Sequence, residues 1–423
     1  MRVYKFGGAS VKDAAGVKNL AAIVRHAADM ELVIVVSAMG KITNKLETLV
    51  SAYRNGQDTA PILSEVKVYH TGLVADLGMT KGPGAVAVEV VFDRLQATLA
   101  ESPSDQYDFD YDQIVSYGEV ISTTIIAAYL RQEGIEAHWS DARKLIRTDA
   151  TYREGRIDWA KTESLVQAKW EEVKSDDSKP RILVIQGFIG HTAERSTTTL
   201  GREGSDFTAA VMAYVLNGES VTIWKDVPGV LNADPKYFSD AVKLKRISYR
   251  EAIELAYYGA TVIHPKTIKP LQNKNIVLYV RSFSDFKSDG TQIDASTFSD
   301  SLIPSYIFKV NQILISFTPR DFSFITEDNL GSLFVLFGAL RIKVNLMQNS
   351  AINFSVCIDH DEAKVSALLE RCKPHFEVLY NAPCELVTIR HYDQETISRL
   401  LIGKKVLVEQ RSRATARMVM VEA

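Results

Sequence analysis

Cysteine is scarce: three in 423 residues. Cys357, Cys372 and Cys384 form an odd set without a Cys-x-x-Cys spacing or a close histidine partner, so neither a disulfide framework nor a zinc site is indicated. They read as buried apolar fillers. Long apolar runs are missing as well. No stretch approaches the roughly 18 residues that span a bilayer, and residues 1–6, with Arg2 and Lys5, lack a secretory apolar segment. The expected address is the cytoplasm, with no membrane partner. Charge of one sign is also lacking: 49 Lys and Arg stand against 52 Asp and Glu, a formal net charge of -3, which leaves no basic excess to attract nucleic acid.

What is present is an ordinary globular composition, 46% hydrophobic and 24% charged. The chain is long enough for two or three domains at about 150 residues each. Residues 2–6, 32–37, 181–185, 220–224 and 276–280 are strand-like, with longer helical stretches between them. Val33-Ile34-Val35-Val36 and Ile182-Leu183-Val184-Ile185 are continuously apolar, the pattern of strands covered on both faces. Residues 1–290 are therefore expected to form a three-layer α/β/α sandwich on a parallel-rich sheet. Residues 284–301, rich in Ser, Asp, Gly and Thr, read as a linker or irregular connection. Beyond it the order is strand 309–317, helix 328–340, strands 343–347 and 352–358, helix 361–372 and strand 376–380, a βαββαβ unit over residues 305–382. Val344-Asn345-Leu346-Met347-Gln348-Asn349-Ser350 is echoed 62 residues later by Val406-Leu407-Val408-Glu409-Gln410-Arg411-Ser412. Residues 383–423 thus read as a second unit, either short or completed by a strand from upstream.

Four stretches are dense in chemistry. In Lys5-Phe6-Gly7-Gly8-Ala9-Ser10 a strand runs into two glycines and a small hydroxyl residue before a helix. Such a turn brings backbone amides and a helix N-terminus to phosphate oxygens while Lys5 adds a point charge; a tight turn with a surface lysine is the plain alternative. No Walker-type Gly-x-x-x-x-Gly-Lys-Ser/Thr occurs, which disfavours a P-loop. Thr197-Thr198-Thr199-Leu200-Gly201-Arg202-Glu203-Gly204-Ser205-Asp206 follows a buried strand and the Gly187-Phe188-Ile189-Gly190 loop. Ser205 or Asp206 can simply cap the next helix, but capping accounts for neither Arg202 nor the three threonines. An arginine fork suits a carboxylate, and Asp206 can hold a lysine such as Lys5. Ser116-Tyr117-Gly118-Glu119 opens a helix that continues Ser122-Thr123-Thr124; Glu119 either compensates the helix dipole or accepts a substrate ammonium. Trp224-Lys225-Asp226-Val227-Pro228-Gly229-Val230 through Asp234-Pro235-Lys236 is a turn-rich loop that either holds a nucleotide or is a plain charged turn.

Taken in order, and joined by Gly259-Ala260-Thr261-Val262-Ile263-His264-Pro265, these stretches resemble the signatures of the aspartokinase family, within the amino acid kinase fold. The resemblance runs over essentially the whole chain, and four ordered motifs are far more specific than one. It implies an amino acid kinase-like catalytic domain followed by paired, α+β ferredoxin-like ACT regulatory domains. The implied activity is phosphoryl transfer from ATP, with Mg²⁺ held mainly through the ATP phosphates, to the side-chain carboxylate of L-aspartate.

Carried over by motif position, Lys5, Gly7, Gly8 and Ser10 serve the phosphates, while Ser37 and Thr43 line the cleft near aspartate. Glu119 takes the substrate ammonium. Arg202 takes its α-carboxylate with help from Ser205, Phe188 packs along the substrate, and Asp206 orients Lys5. Lys225, Asp226 and Lys236 serve the nucleotide, and no metal ligand is assigned. In the tail, Asn345, Asn349 and Ser350 mark an effector position for lysine or threonine, and shared ACT domains imply a homodimer or larger homo-oligomer.

The chemistry is consistent with that list. A carboxylate nucleophile with a pKa of about 4 is already ionised at neutral pH and needs no general base. The obstacle is repulsion between two anions, which cations and amides must relieve. His264, preceding Pro265 at an expected helix start, reads as structural.

Three positions depart from the family pattern. Ala9 stands where threonine is usual, Glu203 where glycine is common and Thr261 where many members have lysine. Glu203 beside Arg202 either weakens substrate binding or points away. These departures keep a second reading open, a catalytically silent amino-acid sensor, beside a third, another enzyme of the fold such as a glutamate or uridylate kinase.

Overall fold

The computed structural model describes residues 1–27, 31–175, 181–238, 240–260, 263–321 and 323–423. Thr261 lies outside them. Two compact units divide the chain. The first comprises Met1–Val230, Lys243–Ile253 and Val262–Thr297; the second comprises Leu231–Val242, Glu254–Thr261 and Phe298–Ala423.

The first unit is built on an eight-stranded sheet. Its order is His138–Ser140, Ile182–Gln186, Leu32–Val36, Arg2–Phe6, Ser220–Lys225, Val277–Ser282, Thr291–Asp294 and Arg246–Ser248. All neighbours are parallel except Thr291–Asp294 against Val277–Ser282. The two continuously apolar stretches are wholly buried strands at the centre, Leu32–Val36 and Ile182–Gln186, as their pattern requires. The helices Tyr117–Gln132 and Gly204–Val215 are buried almost all round, because each has neighbours on every side rather than one wet face.

Residues 284–301, expected as a linker, instead carry the strand Thr291–Asp294. Its polar side chains tie it to the neighbouring loops: the Thr291 hydroxyl donates to the Leu244 carbonyl at 2.6 Å and accepts the Val230 N–H at 2.8 Å. A two-stranded hairpin, Ile189–His191 with Thr197–Thr199, lies outside the main sheet.

The second unit is one antiparallel sheet of six strands in the order Val344–Asn349, Phe354–Asp359, Ser305–Pro319, Phe376–Arg390, Thr415–Glu422, Lys404–Arg411. The two central strands are 15 residues each, and the register between them shifts around Gln312. Each therefore serves two halves. Residues 312–319 begin one βαββαβ half, with the helices Glu327–Ala339 and Glu362–Cys372 packed over Ile313, Ile315, Phe317 and Val356. Residues 305–309 pair beside 386–390 and lend a strand to the other half, which adds the helix Gln394–Leu400 and the last two strands. The two members of the 62-residue echo occupy opposite edges of this sheet. Cys357, Cys372 and Cys384 are free and buried, and burial pushes the Cys357 thiol up to about 12.

Candidate active site

The turn after Arg2–Phe6 is shaped by a close approach. A Cβ on Gly8 would lie 2.5 Å from the Ala38 carbonyl oxygen and 3.0 Å from that of Gly40, so only glycine lets the 7–10 and 38–40 turns interlock. The Gly40 N–H seals the contact by donating to the Gly8 carbonyl at 2.9 Å. Asp13 then caps the helix Ala14–His26 by accepting the Gly16 N–H. The Ser10 amide donates to the Gly7 carbonyl at 3.0 Å, and its buried hydroxyl lies 3.5 Å from the Trp224 carbonyl.

Lys5, at the end of its strand, points to the start of the helix Gly204–Val215. Its Nζ lies 2.6 Å from Asp206 Oδ1, with both side chains almost fully buried. Among the described residues Oδ1 nevertheless has no aligned hydrogen-bond donor, so the contact is one of charge more than of directed bonding. Lys225 approaches the other carboxylate oxygen at 4.0 Å. Two cations thus flank one carboxylate. Asp226 beside them is exposed.

Glu119 enters from a third element. It sits in the first turn of Tyr117–Gln132, 3% exposed, with Oε1 accepting the Ala38 N–H at 3.1 Å and Oε2 buried without a partner among the described residues. Burial pushes its carboxyl from 4.5 up to about 8, against the Ala38 N–H, its own amide and the Lys5 charge, which all act downward. The opposition by Lys5 places both groups in one electrostatic neighbourhood. Ser37 and Thr43 are half-buried nearby in sequence, Ser37 with its carbonyl accepting the Ser122 hydroxyl at 2.8 Å.

A carboxyl raised above its unfolded value stabilises the fold fully below pH 4.5, and loses that contribution as pH rises through about 8. An ammonium beside Oε2 reverses the preference and draws the proton off. Binding of aspartate is therefore expected to release about one proton at pH 6 and almost none above pH 9, with affinity rising between them. Calorimetry in buffers of different ionisation enthalpy measures this; proton uptake, or none at pH 6, contradicts the assignment.

Arg202 and Ser205 lie on the approach to the helix that carries Asp206. Arg202 is exposed and has no ion pair among the described residues, so its guanidinium is available to a ligand. Ser205 is buried against Gly187, where a Cβ would sit 2.5 Å from the serine side chain. Phe188 holds a left-handed φ of 70°, with its N–H on the Thr208 hydroxyl at 3.0 Å.

Two of the three threonines before Arg202 are explained by folding after all. Thr198 bonds Thr148 at 2.7 Å, and Thr199 gives its N–H and hydroxyl to Asp112 at 2.8 and 2.7 Å. They pin the hairpin whose end delivers Arg202.

Glu203 turns its carboxylate onto the backbone at His264. Its φ of 53° is the left-handed region, which accounts for glycine in the family pattern. The strain of a larger residue is offset because Oε2 accepts the His264 N–H at 2.9 Å. His264 in turn caps the helix Pro265–Asn273 by accepting the Lys266 N–H through Nδ1, a structural role. Glu203→Gly exchanges that bond for relief of strain. It is expected to change the aspartate KM by less than about threefold and stability by less than about 1 kcal/mol, by steady-state kinetics and thermal unfolding; a tenfold fall in KM would show the carboxylate repelling substrate.

Sequence reasoning missed a supporting chain. Thr123 accepts from Gln186 at 2.6 Å and from Trp139 at 3.1 Å, and Gln186 accepts the Ala142 N–H at 2.6 Å. The signal was the hydroxyl run Ser122-Thr123-Thr124 on an otherwise apolar helix. Lys236 is exposed and belongs to the second unit, its N–H donating to Asp234. Asn345 is buried with its amide consumed: Oδ1 accepts from Lys309 at 2.8 Å, and Nδ2 donates to Gln312 at 2.8 Å and Asp359 at 2.9 Å. Asn349 and Ser350 are exposed, so these three effector candidates do not form one open site.

A model of the amino acid kinase family matches residues 1–282. Lysine-sensitive aspartokinase 3 of Escherichia coli (strain K12) is 32% identical over 369 residues, covering 84% of this chain and 78% of the relative. The chain belongs to the aspartokinase family. Among solved structures, E. coli aspartokinase III in complex with lysine and aspartate, a T-state, matches with a TM-score of 0.84 at 25% identity, over 100% of this chain and 96% of that one. E. coli aspartokinase III with aspartate and ADP, an R-state, matches with a TM-score of 0.79 at 25% identity, over 99% and 96%. The α/β sandwich with an added antiparallel sheet is thus the architecture of this aspartokinase.

Proposed function

We propose that the chain is an aspartate kinase: the aspartate side-chain carboxylate attacks the γ-phosphorus of Mg²⁺-ATP, the bond to the bridging oxygen breaks, and ADP and 4-phospho-L-aspartate leave. The observation that carries the reading is the buried Lys5–Asp206 pair at 2.6 Å facing the half-bonded Glu119. Lys5, with Gly7 and Gly8, meets the transferring phosphoryl charge, and Asp206 holds the lysine in place. Glu119 takes the substrate ammonium, and Arg202 takes the α-carboxylate with Ser205 and Phe188 alongside. Ser37 and Thr43 line the aspartate side. Lys225, Asp226 and Lys236 serve the nucleotide. No group needs to remove a proton, since the nucleophile is already an anion. The magnesium comes with the ATP; among the described residues no three His, Cys, Asp or Glu side chains gather as a cation site.

The test is hydroxylamine trapping. ATP turnover dependent on aspartate, with formation of its hydroxamate, is the expected result; equal turnover with glutamate, or lysine binding without turnover, contradicts it. Lysine inhibition through the second unit is part of the same reading, supported by the lysine-sensitive relative. Repeating the assay with lysine, threonine and methionine identifies the effector. Self-association is proposed through the second unit, whose edge strand Val344–Asn349 exposes Met347. No described helix is long and apolar enough to cross a membrane, and a cytoplasmic address accords with the metabolism served.

A further inference from the structure

A central strand of a three-layer sandwich is apolar on both faces, and Leu32–Val36 obeys that rule. The strands that follow it to one side in the sheet, Arg2–Phe6, Ser220–Lys225 and Val277–Ser282, break it on one face. Residues two apart share a face, and the register sets Arg2 beside Ser220, Tyr4 beside Thr222 and Thr222 beside Tyr279. The opposite face carries Val3, Val221, Ile223, Leu278 and Val280, all fully buried. The polar face is therefore not a random surface: over it opens a cavity of about 660 Å³, wholly within the first unit, at the N-terminal ends of these strands. The crevice of Lys5 and Lys225 lies at their C-terminal ends.

The cavity is built for an anion. Arg2, Lys243, Lys245 and Arg281 line it against only Glu219 and Asp289, a local positive excess in a chain of net charge -3. Glu219 is already committed to the Met1 ammonium at 3.1 Å and to Arg2 at 3.5 Å. Asp289 is fully exposed and only 4.0 Å from Arg281. Lys245 has no ion pair among the described residues. On the floor, Thr222 and Ser220 are largely buried, neither hydroxyl has a partner among the described residues, and both oxygens are open to the cavity. Each can bond a ligand oxygen there. Tyr4 and Tyr279 add aromatic walls, and the volume is that of a pocket for a small molecule.

We propose that this cavity is a second ligand site, taking a small organic phosphate: the cations meet the phosphate, and Ser220, Thr222 and the two tyrosines meet the hydroxyl-bearing carbon skeleton. The four surrounding cations favour a dianion, and an arginine fork matches phosphate oxygens in pairs. A recessed volume of this size admits a metabolite and not a polymer.

Calorimetric titration of the full chain with ribose 5-phosphate and with inorganic phosphate, each in the presence of saturating ADP, tests it. Ribose 5-phosphate is expected to bind with ADP present, at least fivefold tighter than inorganic phosphate. Lys245→Glu, at an exposed position, is expected to weaken it at least tenfold without moving Tm, and Thr222→Val to weaken it about threefold. Absence of binding by either probe, loss of binding when ADP is present, or unchanged affinity in Lys245→Glu overturns the site. Equal affinity for the two probes overturns the role given to the tyrosines and hydroxyls.

Discussion

Replacing Lys5 by alanine is expected to lower kcat about 10³-fold, or about 4 kcal/mol, while the aspartate KM changes by less than about threefold. Charge sets the size of the effect. Nucleophile and phosphoryl group are both anionic, their repulsion peaks as they meet, and a buried ammonium relieves it there more than in the ground state. Lysine keeps that position because Asp206 lies 2.6 Å away in the same buried pocket. The substitution also strands Asp206, leaving it, among the described residues, Lys225 at 4.0 Å as its one cation. A stability loss of about 3 kcal/mol should accompany it. The double variant Lys5→Ala, Asp206→Asn separates the two effects. It should regain most of the lost Tm and none of the rate, and recovery of kcat would show that Lys5 acts only through folding.

Arg202→Ala is expected to do the reverse, raising the aspartate KM about 10²-fold with kcat within about fivefold of the original. Its guanidinium is exposed and unpaired among the described residues, so its removal breaks no internal bond and Tm should not move. Binding the α-carboxylate with two parallel hydrogen bonds is worth about 3 kcal/mol. Arg202→Lys should recover only part of it, because an ammonium offers no planar fork. A large kcat effect with unchanged KM would move Arg202 from substrate to phosphate.

Much of this site was legible because its chemistry is local in sequence. Lys5 beside two glycines, Glu119 opening a helix and Asp206 in another first turn are each readable from a few residues. Their meeting follows from the parallel sheet, which the continuous apolar strands announce. What was not legible depends on distant partners. The hydroxyl of Thr291 helps fix a strand in a segment with a linker's composition, through contacts to residues 230 and 244. Thr199 looks like a ligand until Asp112 is seen to accept from it. Glu203 reads as an intruder beside Arg202 until its carboxylate is found on the His264 amide, 61 residues on. In the second unit, the 40 residues that seemed too few for a fold are completed by residues 305–309, because a 15-residue strand can serve two halves.

The most direct test is a crystal structure of this chain with aspartate and Mg²⁺-ADP. An aspartate ammonium within about 3.2 Å of Glu119 Oε2, with the Lys5 ammonium lying between the side-chain carboxylate and the nucleotide phosphates, is the result expected. Aspartate bound elsewhere, with Glu119 Oε2 still unpartnered and Lys5 turned from the phosphates, would contradict it.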